Sequence, residues 1–384
     1  MSTIATHESR CRHSIDVEDI VMKVNAAQAV VVNLPIDPPI EISGSSSIRS
    51  ADCVLTFLDT DAGLTGEGLV FTFNENRLDA IRETVEHVGA LALGLDLHGE
   101  EPLHHRVQQD VHLHRPAEVS IIGAAAIDMA LWDLRGKAAG CNVAQLIGAD
   151  RPSVPTYASG ALWRHCSIDE LQADAAALVA RGFRAVKTRV GPGDPRETVT
   201  RVEAIREAIG PDVALMVDAY QQLSVDEAIH LGRRLEPLNP AWLEEPVPCH
   251  DHDGEAKIRR ALAIPVASGE SLYGRRGIRA LLQAGAVDVA MPDLQRMGGP
   301  TELLAVGDLC EAYQTPCSPH LFTEMSLPLA AGLPTCCYVE YMPWFEAIYR
   351  ERIELDVEGN CIVPDRPGWG FTFDPEQVRR YSVA

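Results

Sequence analysis

Apolar and polar positions divide the chain into two unlike halves. In the first 150 residues, Val54–Leu58 and Gly68–Phe73 are β-rich runs joined by the turn-forming DTDAGLTGE, which predicts a hairpin. Leu78–Leu93 follows with helical character. Ile121–Ala139 places Ile127, Ala130, Leu131 and Leu134 at i, i+3, i+4 and i+7, and Gly140 then closes the helix. Strands first and helices later predict an α+β unit over 1–150. Within it, Leu34–Ser47 is rich in Pro, Gly and Ser with few apolar anchors. It reads either as a substrate-covering loop near 34–48 or as a connector.

From residue 153 a repeat takes over. Short apolar runs lie at 154–159, 183–190, 213–218, 241–245, 264–269, 287–293, 315–320 and 336–341, with amphipathic segments such as IDELQADAAALVARG and VDEAIHLGRRLEPL between them. Strand, helix and strand at a spacing of about 25 residues mark parallel βα units. Eight strands with seven intervening helices close into a TIM-type barrel, (β/α)7β, over 151–344. The segment 345–384 carries no clear eighth helix and is expected to return to the first unit.

Composition narrows the partners. Lys and Arg number 33 against 55 Asp and Glu, a formal charge of −22. That balance repels nucleic-acid phosphates and anionic lipid. No stretch approaches the roughly 20 apolar residues of a membrane span. The N-terminus lacks the apolar core of a signal peptide, and ten cysteines occur without a CxxC, so the expectation is a cytosolic protein with free thiols.

The chemistry lies in the strand ends. From the second strand to the eighth these are Lys187 with Arg189, Asp218, Glu244 with Glu245, Glu270, Asp293, His320 and Glu340. In a barrel they converge on the face where active sites form. Asp218, Glu244 and Glu270 are 26 residues apart each time, one carboxylate per βα unit. Three carboxylates together require a cation, and hard oxygen donors without His or Cys select Mg²⁺. Glu244 and Glu245 are adjacent, so one faces the site and the other is structural. Asp293 and His320 form a carboxylate–imidazole pair suited to a general base. With Lys187 opposite, this is a geometry for removing a proton beside a carboxylate, the ene-diolate being held by the cation. Glu340 is expected to be protonated and to donate a hydrogen bond to that ene-diolate. His104, His105, His112 and His114 read as surface or core histidines.

These residues resemble the enolase superfamily, and within it the mandelate racemase group, through GFRAVKTRVG, ALMVDAYQ, WLEEP, SGES, AMPDLQRMGG, SPHLFTE and AAAIDMALWDLRGK. The resemblance implies an α+β capping domain on a (β/α)7β barrel, one Mg²⁺ and an α-hydroxy-acid substrate. It implies Asp218, Glu244 and Glu270 as metal ligands, Asp293 and His320 as the catalytic dyad, and Glu340 and Ser159 on the substrate carboxylate. Homo-oligomers, dimers or octamers, are also implied. One departure stands out: the family's KxK, whose second Lys is a base, here reads Lys187-Thr188-Arg189. Arg does not give up its proton. Tyr220 stands where mandelate racemase has a smaller amide. Both changes point away from two-base racemisation and toward dehydration of an acid sugar to a 2-keto-3-deoxy acid, with a racemase, epimerase or sugar-lactone cycloisomerase as the alternative. An inactive binding or regulatory protein would not keep all five of Asp218, Glu244, Glu270, Asp293 and His320.

Overall fold

The computed structural model describes residues 22–43, 46–97, 102–114 and 117–383, with the backbone alone at 43, 111–114 and 117–119. The N-terminal segment read for a leader, and the side chains of His112 and His114, lie outside the described residues. A three-stranded antiparallel sheet forms first, from β1 (Val24–Ser43), β2 (Ser46–Thr60) and β3 (Thr65–Phe73). The Pro- and Ser-rich segment is paired backbone over most of its length, and its Glu41 and Ile42 line a cavity with Trp163, Arg189 and Tyr220 at the barrel mouth. Pairing of β1 with β2 continues through it, with an irregularity between Pro35 and Ile40, to Ile40↔Ile48 and Ser43↔Ser46. Its backbone groups, not its side chains, supply the order, while Leu34, Ile40 and Ile48 are buried.

Helices α1 (Leu78–Ala92), α2 (Leu103–His114) and α3 (Ala117–Ala139) follow the sheet. Close approach of α3 to the sheet needs glycine, because a Cβ at Gly68 would lie 2.3 Å from the Ala126 carbonyl oxygen. The other side of α3 meets the barrel. There Asp128 accepts hydrogen bonds from the backbone and hydroxyl of Thr301.

Parallel strands β4 (Ser153–Ala158), β5 (Ala185–Arg189), β6 (Ala214–Asp218), β7 (Trp242–Glu244), β8 (Val266–Ser268), β9 (Val289–Ala290) and β10 (Val339–Tyr341) form the barrel. Residues 315–320 supply the remaining stave through bridges Ala290↔Cys317, Asp293↔His320 and Cys317↔Cys336. Pairing of β10 with β4 closes the ring. Helices fill each of the seven connections between the staves, two of them, Leu294–Met297 and Pro300–Ala312, in the one after β9; Ser167 with Glu170 and Ser224 with Glu227 form capping boxes. Tyr157, Met216, Trp242, Ala267, Val289 and Met291 pack in the barrel interior, so it is a filled core with its polar residues at the strand ends. After β10, β11 (Asn360–Ile362) pairs antiparallel with β4. The chain then reaches the first unit: Trp369 and Phe373 donate backbone hydrogen bonds to Asp133 and Glu67. Among the described residues, no helix is long and apolar enough to cross a membrane, and no two cysteines are joined in a disulfide.

Candidate active site

Strand register fixes the neighbours at the mouth. Arg189 pairs with Asp218 and Asp218 with Glu244, so β5, β6 and β7 present their terminal side chains side by side. Lys187 is the hub. Its Nζ donates to Glu244 Oε1 at 2.5 Å and lies 3.0 Å from Glu340 Oε1 and 3.7 Å from Asp218 Oδ2. Burial alone would lower its pKa, but Glu244 and Glu340 outweigh that and push it well above the usual lysine range. In this arrangement its acidic neighbours favour the charged ammonium.

Arg189 is more tightly bound still. Nη1 donates to the carbonyls of Ser159 and Ala161 at 2.5 and 3.1 Å, Nη2 donates to Ser159 Oγ at 2.8 Å, and the guanidinium stacks 3.8 Å from the Trp163 ring centroid. Its side chain ties the loop after β4 to β5. The Ser159 hydroxyl oxygen, read from the sequence as facing the substrate carboxylate, accepts from Arg189, which leaves its O–H to donate. Tyr220 sits just past Asp218, and its backbone N–H donates to Asp218 Oδ1 at 2.9 Å.

Across the mouth, His320 Nδ1 and Asp293 Oδ2 are hydrogen-bonded at 2.7 Å, and His320 Nε2 lies 3.3 Å from Glu270 Oε2. Burial works against the imidazolium, but Glu270 and Asp293 raise the His320 pKa to about 9. Asp293 is held below its ordinary value despite burial, chiefly by Arg296 and His320. Arg296 also donates to the Glu270 carbonyl at 2.9 Å, and Gln295 beside it exchanges two hydrogen bonds with the Phe71 backbone. The short segment after Asp293 thus braces the dyad and ties it to the first unit. Sequence reasoning passed over Gln295 and Arg296, although both lie within the quoted AMPDLQRMGG and Arg296 is three residues after Asp293.

One expectation meets an opposing arrangement. Around Glu340 burial opposes the charge, yet Lys187 and His320 hold its pKa down to about 2, and the Leu321 N–H donates to its Oε2 at 2.9 Å, surroundings that favour the carboxylate over a protonated donor. Glu245 lies beyond the strand end with φ 39°. Its carboxylate accepts from Ser268 Oγ, the Gly269 N–H and Gln221 Nε2. Glu245 is thereby engaged on the β8 side, and Glu244 is the member of the pair that faces Lys187.

Burial, with mutual repulsion adding to it, raises Glu244 to about 8 and Glu270 to about 7. Asp218 and Glu245 contribute to the repulsion on Glu270. Among the described residues, no three acidic, His or Cys side chains are already gathered as a cage; Glu244 and Glu270 instead turn onto Lys187 and His320. Uncompensated carboxylates choose the nearest cation, and the donor set at these three strand ends is hard oxygen throughout. That set fits a magnesium ion once the side chains turn inward. Among the described residues the other histidines form no such group: His104 pairs with Glu302 and His105 with Gln109.

Residues 25–148 match the family model of the mandelate racemase / muconate lactonizing enzyme N-terminal domain, and residues 170–378 match that of the enolase C-terminal domain-like family. The chain belongs to this family. It is 35% identical to L-talarate/galactarate dehydratase of Salmonella typhimurium over 69% of this chain and 66% of that protein. It is 31% identical to D-galactarolactone cycloisomerase of Agrobacterium fabrum over 94% of this chain and 99% of that one. Among solved structures, L-talarate dehydratase from Polaromonas, complexed with Mg and L-glucarate, superposes with a TM-score of 0.86 at 30% identity, covering 94% of this chain and 98% of that one.

Proposed function

We propose that this protein is a cytosolic, homo-oligomeric, Mg²⁺-dependent hydro-lyase that dehydrates an acid sugar, an aldonate or aldarate, to a 2-keto-3-deoxy acid. Asp218, Glu244 and Glu270 hold the ion, which when bound stabilises the negative charge of the ene-diolate. Lys187 sets its ammonium against the substrate carboxylate, and Glu340, ionised, orients Lys187. His320, oriented by Asp293, takes the α-proton. Loss of the β-hydroxyl with that proton gives water and an enol, which rearranges to the 2-keto acid. The residues 1–150 cover the site and the barrel at 151–344 carries the chemistry.

The observation that carries this reading is the immobilised Arg189. Locked by Ser159, Ala161 and Trp163, it takes no proton, and Lys187 is held charged. Proton traffic therefore runs through His320 alone, which suits elimination and not racemisation. Likeness to a cycloisomerase over nearly the whole chain supports a second reading, ring opening by elimination of a β-oxygen, which begins with the same proton transfer.

The test is NMR in D₂O with Mg²⁺ and a panel of mono- and diacid sugars and their lactones. A 2-keto-3-deoxy acid from one α-configuration, with no inversion of recovered substrate, is expected. Deuterium in recovered substrate of inverted configuration would reveal a second base and overturn the assignment.

A further inference from the structure

Strand geometry places side chains two residues apart on one face, one above the other in the barrel. Trp242 is two residues before Glu244, 2% exposed, and its indole Nε1–H donates to Glu244 Oε2 at 2.9 Å. The ring has little freedom to turn. Tyr157 meets it edge-on with centroids 5.3 Å apart at 88°, and Tyr338 meets it at 5.8 Å and 74°. Lys187 takes the other oxygen, Oε1, from the opposite side. Glu244 is therefore held by one donor that can move its charge and one that is locked in the barrel core.

We propose that Trp242 is a positioning residue: by pinning Oε2 from the barrel interior it leaves Oε1 as the oxygen that faces the cation, making Glu244 a one-oxygen ligand of fixed direction. The proposal rests on the magnesium reading above. An indole N–H is suited to the task, because it donates once, accepts nothing and does not titrate or ligate. A carboxylate or a lysine in its place would compete for the ion or repel it. Hydrogen bonds that orient metal ligands typically contribute a factor of about 10–100 in metal affinity.

The experiment is calorimetric titration of the purified full chain with Mg²⁺ in the absence of substrate. The wild-type titration tests the metal reading by itself, and no binding there would overturn both. Trp242→Phe keeps an aromatic ring in the layer and removes the N–H. Its Mg²⁺ affinity should fall about 10- to 100-fold, while kcat at saturating Mg²⁺ recovers to near the wild-type value. Tyr157→Phe disturbs the same layer without touching that hydrogen bond, and its Mg²⁺ affinity should be unchanged. Should Trp242→Phe not fold, benzothienylalanine at position 242 keeps the bicyclic shape and replaces N–H by sulfur, with the same loss expected. Unaltered affinity in the N–H-deficient protein, equal loss in Tyr157→Phe, or a kcat that stays low at saturating Mg²⁺ would each overturn the proposal.

Discussion

Asp133, between the first unit and the C-terminal segment, accepts backbone hydrogen bonds from Glu67 and Trp369 and pairs with Lys137 at 2.6 Å. Asp52 in the antiparallel sheet is served similarly, by Asn33, Ser50 and the Glu75 N–H. At the barrel mouth the pattern is different. Among the hydrogen bonds of the described residues, Asp218, Glu244 and Glu270 share a single backbone donor, the Tyr220 N–H on Asp218. Side chains meet the remainder of their charge: Lys187 and the Trp242 indole N–H at Glu244, Lys187 and Arg189 at Asp218, and His320 at Glu270. Backbone donors cannot leave, so the charges of Asp133 and Asp52 are tied to the scaffold. Acids met mainly by side chains can exchange partners when a cation arrives. Asp293 and Glu340 stand between the two kinds, each held by one backbone N–H, from Arg296 and Leu321, while facing His320 or Lys187.

The sharpest break in that comparison comes from removing one carboxylate of each kind. Glu270→Gln is expected to lower Mg²⁺-dependent turnover by a factor of about 10³ or more, while the melting temperature holds or rises because a repulsive charge is gone. Asp133→Asn is expected to do the reverse. It strips Lys137 of its partner and costs about 3 kcal/mol of stability, with turnover per folded molecule near wild type. Paired thermal-unfolding and turnover measurements decide; a Glu270→Gln protein that melts early but turns over normally would reverse the two assignments.

A smaller effect is expected at the cation side of the mouth. His320→Asn removes the proposed base but leaves the acids in place, and general-base loss is typically about 10²–10⁴-fold. In D₂O, formation of product labelled at C3, the former β-carbon that takes a solvent hydrogen when the enol ketonises, should slow by the same factor. Wild-type-like turnover in this variant would move the base to another residue.

How much of this was legible beforehand follows from the same contrast. The barrel and its strand-end residues could be read because a repeating βα unit forces every strand terminus to one face, so spacing alone placed Asp218, Glu244, Glu270, Asp293, His320 and Glu340 together. What spacing does not contain is where a long side chain ends. Lys187 reaches Glu340, and that contact favours the carboxylate over the protonated donor expected there. Arg189 could be read as a poor base from its chemistry, but its union with Ser159 needs the loop after β4 to fold back. The strand pairing up to Ser43 and from Ser46 was missed because Pro and Ser weaken the strand signal while the backbone still pairs across an irregularity.

The smallest expected effect separates charge-poor acids that await a cation from those that stay neutral. Glu324 is buried at the start of the helix Thr323–Gly332, and its Oε2 has no hydrogen-bond partner. Burial, with Glu346 adding repulsion, raises its pKa from 4.5 to about 8. Below pH 4.5 the folded and unfolded chains both carry the proton, and folding incurs no penalty. Between 4.5 and about 8 the unfolded chain releases it while the folded chain keeps it, so stability contributed by this site falls as pH rises. Above 8 both forms are ionised and the loss is complete. Each tenfold difference in proton affinity is worth about 1.4 kcal/mol, so the whole effect is of the order of a few kcal/mol. Glu324→Gln stays neutral at every pH and removes this dependence. Its melting temperature should match wild type near pH 5 and exceed it at pH 8.5 by about 2 °C or more, with Mg²⁺ affinity unaltered. Parallel melting curves for the two proteins across that range, or a change in Mg²⁺ affinity, would place Glu324 with the cation-seeking acids instead.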